Sequence, residues 1–276
     1  MLSMVSLLFL SIPVGFLGAL TGLGGASILI PILVFLGIPV KEAIACGMAS
    51  IIATSSGSAS LYVREKIANV RVAMFLEMFT TVGAIAGATI TTFISPTLLY
   101  FFFAAFLATS FLKSKRTVSE STASPEWPDR LSRWLNLRGS YFDEAYQRTI
   151  EYKVSHPLLG GAGMLLAGLA AGMLGIGAGA FKVTVQENIL KLPPKVSSTT
   201  SNFIIGMTAL AGTSVYLYSG LLNLTLMGPM AVGTTLGAVL GGRVLNKLRN
   251  RTLRILFFTI VFFLIVQMVY KGVNSL

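Results

Sequence analysis

Apolar residues run through this chain in long unbroken blocks, not in the one-face or alternating patterns of a soluble domain. Ala43 to Val63, Val72 to Ile94 and Leu253 to Tyr270 each approach the length needed to cross a hydrocarbon core of about 30 Å at roughly 1.5 Å per residue. The pattern predicts spanning helices. A transmembrane barrel would show alternating polarity in segments of about ten residues, and none is found. The first twenty residues are apolar like a secretion signal but lack its basic start. Because apolar character resumes directly after Gly22 to Gly25, they are read as a retained helix.

The chain repeats itself at an offset of 153 to 154 residues. Gly15, Gly22 and Gly24 fall on Gly168, Gly175 and Gly177; after a one-residue shift Pro39, Lys41, Thr54, Ser60, Tyr62 and Asn69 fall on Pro193, Lys195, Thr208, Ser214, Tyr216 and Asn223. Gly83, Ala84 and Gly87 fall on Gly237, Ala238 and Gly241. Each half thus holds five apolar segments in the same order: 3–20, 26–38, 43–63, 72–94 and 97–112, then 157–174, 180–192, 196–219, 225–245 and 252–270. The expected division is a first transmembrane repeat over 1–112, a polar linker over 113–155 and a second repeat over 156–276. In the linker, Leu131, Trp134 and Leu135 share a helical face beside Arg130, Arg133 and Arg138. That pattern suits a short helix in the membrane interface, and a solvated loop fits equally well.

Composition agrees with a membrane protein: 54% of the 276 residues are hydrophobic and 11% charged. The formal charge of +11 sits in short loops beside apolar segments, where it meets lipid headgroups and sets orientation; nucleic acid is not an expected partner. Cys46, the single cysteine, excludes an intramolecular disulfide and a cysteine metal cluster. His156, the single histidine, stands before Pro157 at a helix edge, so neither a catalytic constellation, a metal site nor a cofactor is expected.

Placing Arg64 to Arg71, the linker, Lys191 to Lys195 and the cluster Arg243 to Arg254 in the cytoplasm leaves only Lys41 and Lys271 outside and Lys182 within the membrane. Under that assignment the equivalent loops around Asn69 and Asn223 lie on opposite faces. The fold expected is an all-α polytopic membrane protein of two homologous halves forming an inverted repeat, multi-pass in the cell membrane, its linker cytoplasmic. Each half would cross five times, or three times with a re-entrant hairpin; a parallel repeat with four crossings is the alternative.

Gly22-Leu23-Gly24-Gly25-Ala26-Ser27 and Gly175-Ile176-Gly177-Ala178-Gly179-Ala180 occupy corresponding places, each before an apolar segment too short to span comfortably. Glycine lets a helix break, and a restarting helix offers free N–H groups and a positive dipole end that favour an anion. Tight helix packing is the competing use of such glycines. Gly22, Gly24, Gly25, Ser27, Gly175, Gly177 and Gly179 are therefore candidate substrate contacts. Lys182, an ammonium in an apolar helix, joins them as partner of a bound anion; the alternatives are a snorkelling lysine or a pair with Glu187. Thr54, Asn202 and Thr208 are candidate hydrogen-bonding groups in the hydroxyl-rich third segments. Glu77 is read as a structural partner of Arg71 or Lys66 in preference to a proton-coupling carboxylate.

At these residues the chain resembles the sulfite exporter TauE/SafE family of membrane permeases. The matching elements are Gly22 to Ala26, Ile30-Pro31, Leu36-Gly37-Ile38-Pro39, Gly175 to Gly179 and Leu192-Pro193. Ala26 and Ala178 replace expected glycines, and Thr184 stands at the place of the second proline. The resemblance implies export or uptake of a small anion, sulfite, sulfonates or related organic anions, driven by an ion gradient with H⁺ or Na⁺ as coupling ion; an anion channel or a non-transporting membrane scaffold is the alternative. A homodimer is a further expected assembly.

Overall fold

The computed structural model describes residues 4–21, 25–64, 68–113, 130–143, 148–245, 262–263 and 265–274. The first repeat supplies α1 (Met4–Thr21), α2 (Ala26–Phe35), α3 (Val40–Arg64), α4 (Val70–Phe93) and α5 (Pro96–Lys113). The linker supplies α6 (Arg130–Trp134), β1 (Arg138–Asp143) and β2 (Arg148–Lys153). The second repeat supplies α7 (Pro157–Leu174), α8 (Gly179–Asn188), α9 (Pro194–Tyr218) and α10 (Leu224–Leu245). Residues 265–273 are also helical, while most of the predicted segment 252–270 lies outside the described residues.

Among the described residues α4, α7 and the stretch Leu224–Gly241 of α10 are long and apolar enough to cross a membrane. In α4 the usual arrangement of a water-soluble helix is turned inside out. Met74, Met78, Val82, Ile85 and Phe93 are exposed, whereas Glu77, Thr80, Gly83, Gly87 and Thr91 are buried. An apolar outer face is stable only against lipid, and the small inner residues let neighbouring backbones close in. Asn69 starts this helix, its side chain accepting a hydrogen bond of 3.1 Å from the Val72 amide. The 25-residue helices α3 and α9 are richer in hydroxyls. They pack on each other and are flanked by α4 and α10, so protein and not lipid receives their polar faces.

Contacts between the halves come in matched pairs: α4 lies along α7 and α1 along α10, α4 along α9 and α10 along α3. A Cβ placed on Gly83 would stand 2.2 Å from the Leu165 carbonyl oxygen, and one on the equivalent Gly237 would stand 2.0 Å from that of Ile12. Likewise a Cβ on Gly168 would stand 2.2 Å from Thr80 O, and one on its counterpart Gly15 would stand 2.1 Å from Thr234 O. Only the missing side chain permits such approaches. From Gly83 to Gly87 the facing carbonyl moves from Leu165 to Leu169, so α4 and α7 run parallel; Gly233 and Gly237 against Leu8 and Ile12 show the same for α10 and α1. Along α3 and α9 the order reverses. Ser55 Oγ donates to Asn202 O at 2.7 Å, while Met48 reaches Gly212.

The linker is more structured than its polar composition suggested. Strands β1 and β2 form an antiparallel hairpin with Tyr141 opposite Ile150, an element the sequence reading did not anticipate. It is fastened to the bundle by Asn69 Nδ2, which donates to Arg138 O (3.1 Å) and Tyr152 Oη (3.0 Å), and by Arg71 Nη1 donating to Asn136 O (3.2 Å). The Ser155 amide donates to Leu190 O at 3.1 Å. The α3–α4 connection, the linker and the α8–α9 connection therefore share one end of the bundle. At the other end Asn223 Nδ2 donates to Glu42 Oε1 (2.8 Å) and Lys41 Nζ to Thr92 O (2.8 Å). The short helix expected in the linker is α6, with Trp134 81% exposed and Leu131 and Leu135 half-buried.

Candidate functional site

The turn from α7 to α8 is a run of left-handed backbone. Gly175 has φ +66°, Gly177 φ +69° and Ala178 φ +49°, and α8 begins at Gly179. Glycine adopts this conformation freely, but at Ala178 it carries strain on the order of 1–3 kcal/mol. Packing holds the turn in place: a Cβ on Gly175 would meet Ile44 O at 2.6 Å, and one on Gly177 would meet the Ile205 side chain at 3.0 Å. The turn is wedged between α3 and α9 and delivers the first residues of α8 to the centre of the bundle.

One turn into that helix stands Lys182, with no solvent exposure. Its Nζ donates to Thr208 Oγ1 at 2.8 Å. The Thr208 hydroxyl has one proton, and the Ile204 carbonyl takes it at 2.7 Å in preference to the Glu77 oxygens at 3.4 Å each. Lys182 and Glu77 therefore face one another across an oxygen that solvates the ammonium. Glu77 is held in place from its own helix, Thr81 Oγ1 donating at 2.7 Å and Thr80 Oγ1 lying at 3.0 Å. An ammonium and a carboxylate in a water-poor interior attract strongly, and each is costly to leave alone.

This overturns the expectation for Glu77 and disfavours both alternatives for Lys182. Glu77 does not pair with Arg71, whose guanidinium is spent on Asn136 O at the linker end; Lys66 lies outside the described residues. Lys182 neither snorkels nor pairs with Glu187, because Glu187 Oε1 accepts from Ser197 Oγ at 3.2 Å. Side chains facing each other from α4, α8 and α9 are far apart in sequence. The legible signal was composition: α8 carries Lys182, Gln186 and Glu187 on a ten-residue helix where its counterpart α2 is apolar.

The structure brings Lys182 and Thr208 together and adds Glu77. Thr54 Oγ1 instead donates within its own helix, at 3.0 Å from Ile51 O. Asn202 contributes its carbonyl to Ser55. Gly25 caps α2 in ordinary right-handed conformation, close to Gly15 of α1, and Ser27 is buried in the first turn of α2. Gly22 and Gly24 lie outside the described residues. Among the described residues no group of His, Cys, Asp and Glu is arranged to hold a metal ion.

The chain is 23% identical over 282 residues to the "Probable membrane transporter protein YunE" of Bacillus subtilis (strain 168), covering 99% of this chain and 100% of that one. It is 27% identical over 264 residues to the "Probable membrane transporter protein YdhB" of the same organism, covering 92% and 94%. No solved structure matches. Residues 7–268 match the family described as Sulfite exporter TauE/SafE, and the chain belongs to that family.

Proposed function

We propose that the chain is a secondary transporter of the cell membrane that exports a small anion, sulfite, a sulfonate or a related organic anion, by alternating access between two inverted repeats, 1–112 and 156–276, with the linker cytoplasmic. The observation that carries this reading is Lys182. It is fully buried, and among the described residues Thr208 is the one hydrogen-bond partner of its ammonium. Two of its three N–H donors are free for the oxygens of an anion. Thr208 lies beside them, and the turn Gly175 to Gly179 brings backbone amides of a restarting helix to the same region.

The inverted arrangement is supported by helix direction. The counterparts α3 and α9 cross antiparallel, as a two-fold axis perpendicular to the helices requires; an axis along them would leave the pair parallel. Sulfite as cargo and export as direction are supported by the family description. The measurement is flux in proteoliposomes with labelled sulfite and methanesulfonate. A carrier gives saturable, counterflow-capable movement that Lys182→Ala abolishes. Conductance without counterflow, or no movement of either anion or of a wider set of oxyanions, would defeat the proposal.

A further inference from the structure

The polar contacts that continue outward from Lys182 exist in one repeat only. Along the seam between α8 and α9, Lys182 pairs with Thr208, Gln186 Nε2 donates to Ser201 Oγ at 3.1 Å, and Ser197 Oγ donates to Glu187 at 3.2 Å. At the repeat offset the counterparts of Lys182, Gln186 and Glu187 are Leu29, Leu33 and Val34, all buried in the apolar core; those of Ser201 and Glu77 are Gly47 and Ala231. The duplicated scaffold thus holds one off-axis set of ionisable groups. Within it Gln186, fully buried, has no partner for its Oε1 among the described residues. Whichever way the amide is turned, one polar end lacks a contact among the described residues and is available to a small polar group or a water. The seam ends at half-buried Glu187, beside the connection Lys191 to Lys195.

Resting on the transport reading above, we propose that Glu77 and the transported anion alternate as counter-charge of Lys182, so that each anion entering the site is accompanied by one proton taken up on the Glu77 carboxylate. Lys182 can balance one negative charge. When an anion takes its free donors, an ionised Glu77 becomes an unpaired carboxylate in a water-poor interior, and protonation removes that charge. The proton leaves Glu77 when the anion departs, restoring the carboxylate to Lys182. Na⁺ is disfavoured as the coupling ion, since a cation at Glu77 would sit beside the Lys182 ammonium, while a proton neutralises the carboxyl outright.

Among the described residues, the helices packed on α4 bring no other ionisable group to Glu77. α7 has no titratable side chain, and the titratable side chains of α9 are Lys195 and Tyr218, both exposed, and Tyr216, whose hydroxyl donates to Gly172 O. On α4 itself, Arg71 is at the linker end and engaged there. Lys182 is the charged group acting on Glu77. The seam of Gln186, Ser201, Ser197 and Glu187 supplies donors and acceptors between Glu77 and the end of the bundle that holds the linker.

The test is titration calorimetry of anion binding to the purified protein in buffers of different ionisation enthalpy, with methanesulfonate, which carries no titrating proton, and with sulfite corrected for its own titration. The wild type is expected to take up close to one proton per anion, its affinity falling about tenfold per pH unit above the titration of Glu77. Glu77→Gln is expected to bind with the affinity the wild type reaches at low pH, with no proton uptake and a flat pH profile. Anion binding by the wild type without proton uptake, or unchanged proton uptake in Glu77→Gln, overturns the inference while leaving the transport reading intact. Absence of any anion binding or flux by the wild type overturns both. Absence of proton uptake by the wild type overturns the inference even if the variant does not fold, and loss of uptake in Glu77→Gln assigns the proton to Glu77 and not to Lys182.

Discussion

At the residue scale the energetics of this protein turn on one pair of opposite charges kept from water. Removing one member of such a pair strands the other in the interior, which typically destabilises by about 3–5 kcal/mol, whereas replacing both by neutral groups is often close to neutral. Lys182 is fully buried and Glu77 is 6% exposed, so solvent screens the pair little. Lys182→Met alone is expected to lower thermal stability markedly, and Lys182→Met combined with Glu77→Gln to recover most of the loss while anion flux stays absent. Additive stabilities in the double variant would show that the two side chains do not act on each other. How far this centre could be read in the sequence differs from residue to residue. Lys182 was legible because a lone ammonium in an apolar helix has no inexpensive explanation, and Thr208 because it falls in a hydroxyl-rich segment. Glu77 is harder to read: sequence offers Arg71 and Lys66 along the chain, whereas the groups that face its carboxylate across the bundle, Thr208 and Lys182, come from two other helices. Gln186 drew no notice, because an amide among apolar residues acquires meaning only when its two ends can be checked for partners.

At the element scale the helices are joined by small residues whose value is in what they lack. In α4 and α7, glycines on each helix admit the carbonyl oxygens of the other, and α1 and α10 repeat the device at the equivalent positions. In lipid, where no hydrophobic force draws helices together, such close backbone approach supplies much of the attraction. Gly168→Ala is therefore expected to be severe. Its methyl would lie 2.2 Å from the Thr80 carbonyl oxygen, and backbone on both sides cannot yield without parting the helices. Gly228→Ala is the matched control: it sits in α10 with nothing within 4 Å of the added Cβ, and should stabilise by roughly 0.5–1 kcal/mol through helix propensity. Thermal unfolding of the two variants in detergent checks the contrast, and similar melting temperatures would refute the packing account. The spanning elements were plain in the sequence because their signal is length and hydropathy, which tertiary contacts do not alter. The hairpin was overlooked for a different reason. Arg148-Thr149-Ile150-Glu151-Tyr152-Lys153 carries the period-two alternation of a half-buried strand, but it lies within a stretch whose charge suggested a loop.

At the scale of the whole molecule, matched contacts between the two halves surround a centre whose ionisable groups are unmatched. The same loop-to-helix contact occurs twice: the Asn69 amide donates to Thr200 of α9 (3.2 Å), and at the repeat-equivalent place Cys46 of α3 faces Asn223 O (3.7 Å). One of these contacts is at the linker end of the bundle and the other at the end holding Lys41 and Glu42. If the halves are related by an axis in the membrane plane, two residues that occupy the same place in the repeat must emerge on opposite sides of the bilayer. Val70 and Leu224 are such a pair, each at the first turn of its helix and 42% and 64% exposed. With Cys46, the only native cysteine, replaced by Ala, single cysteines at these two positions are expected to react with an impermeant maleimide from opposite faces of oriented vesicles: Val70→Cys from the cytoplasmic face and Leu224→Cys from the outer one. Reaction of both from one side would mean that the repeats are parallel. The two halves would then lack the opposed orientation that lets them exchange conformations, and alternating access would need another basis.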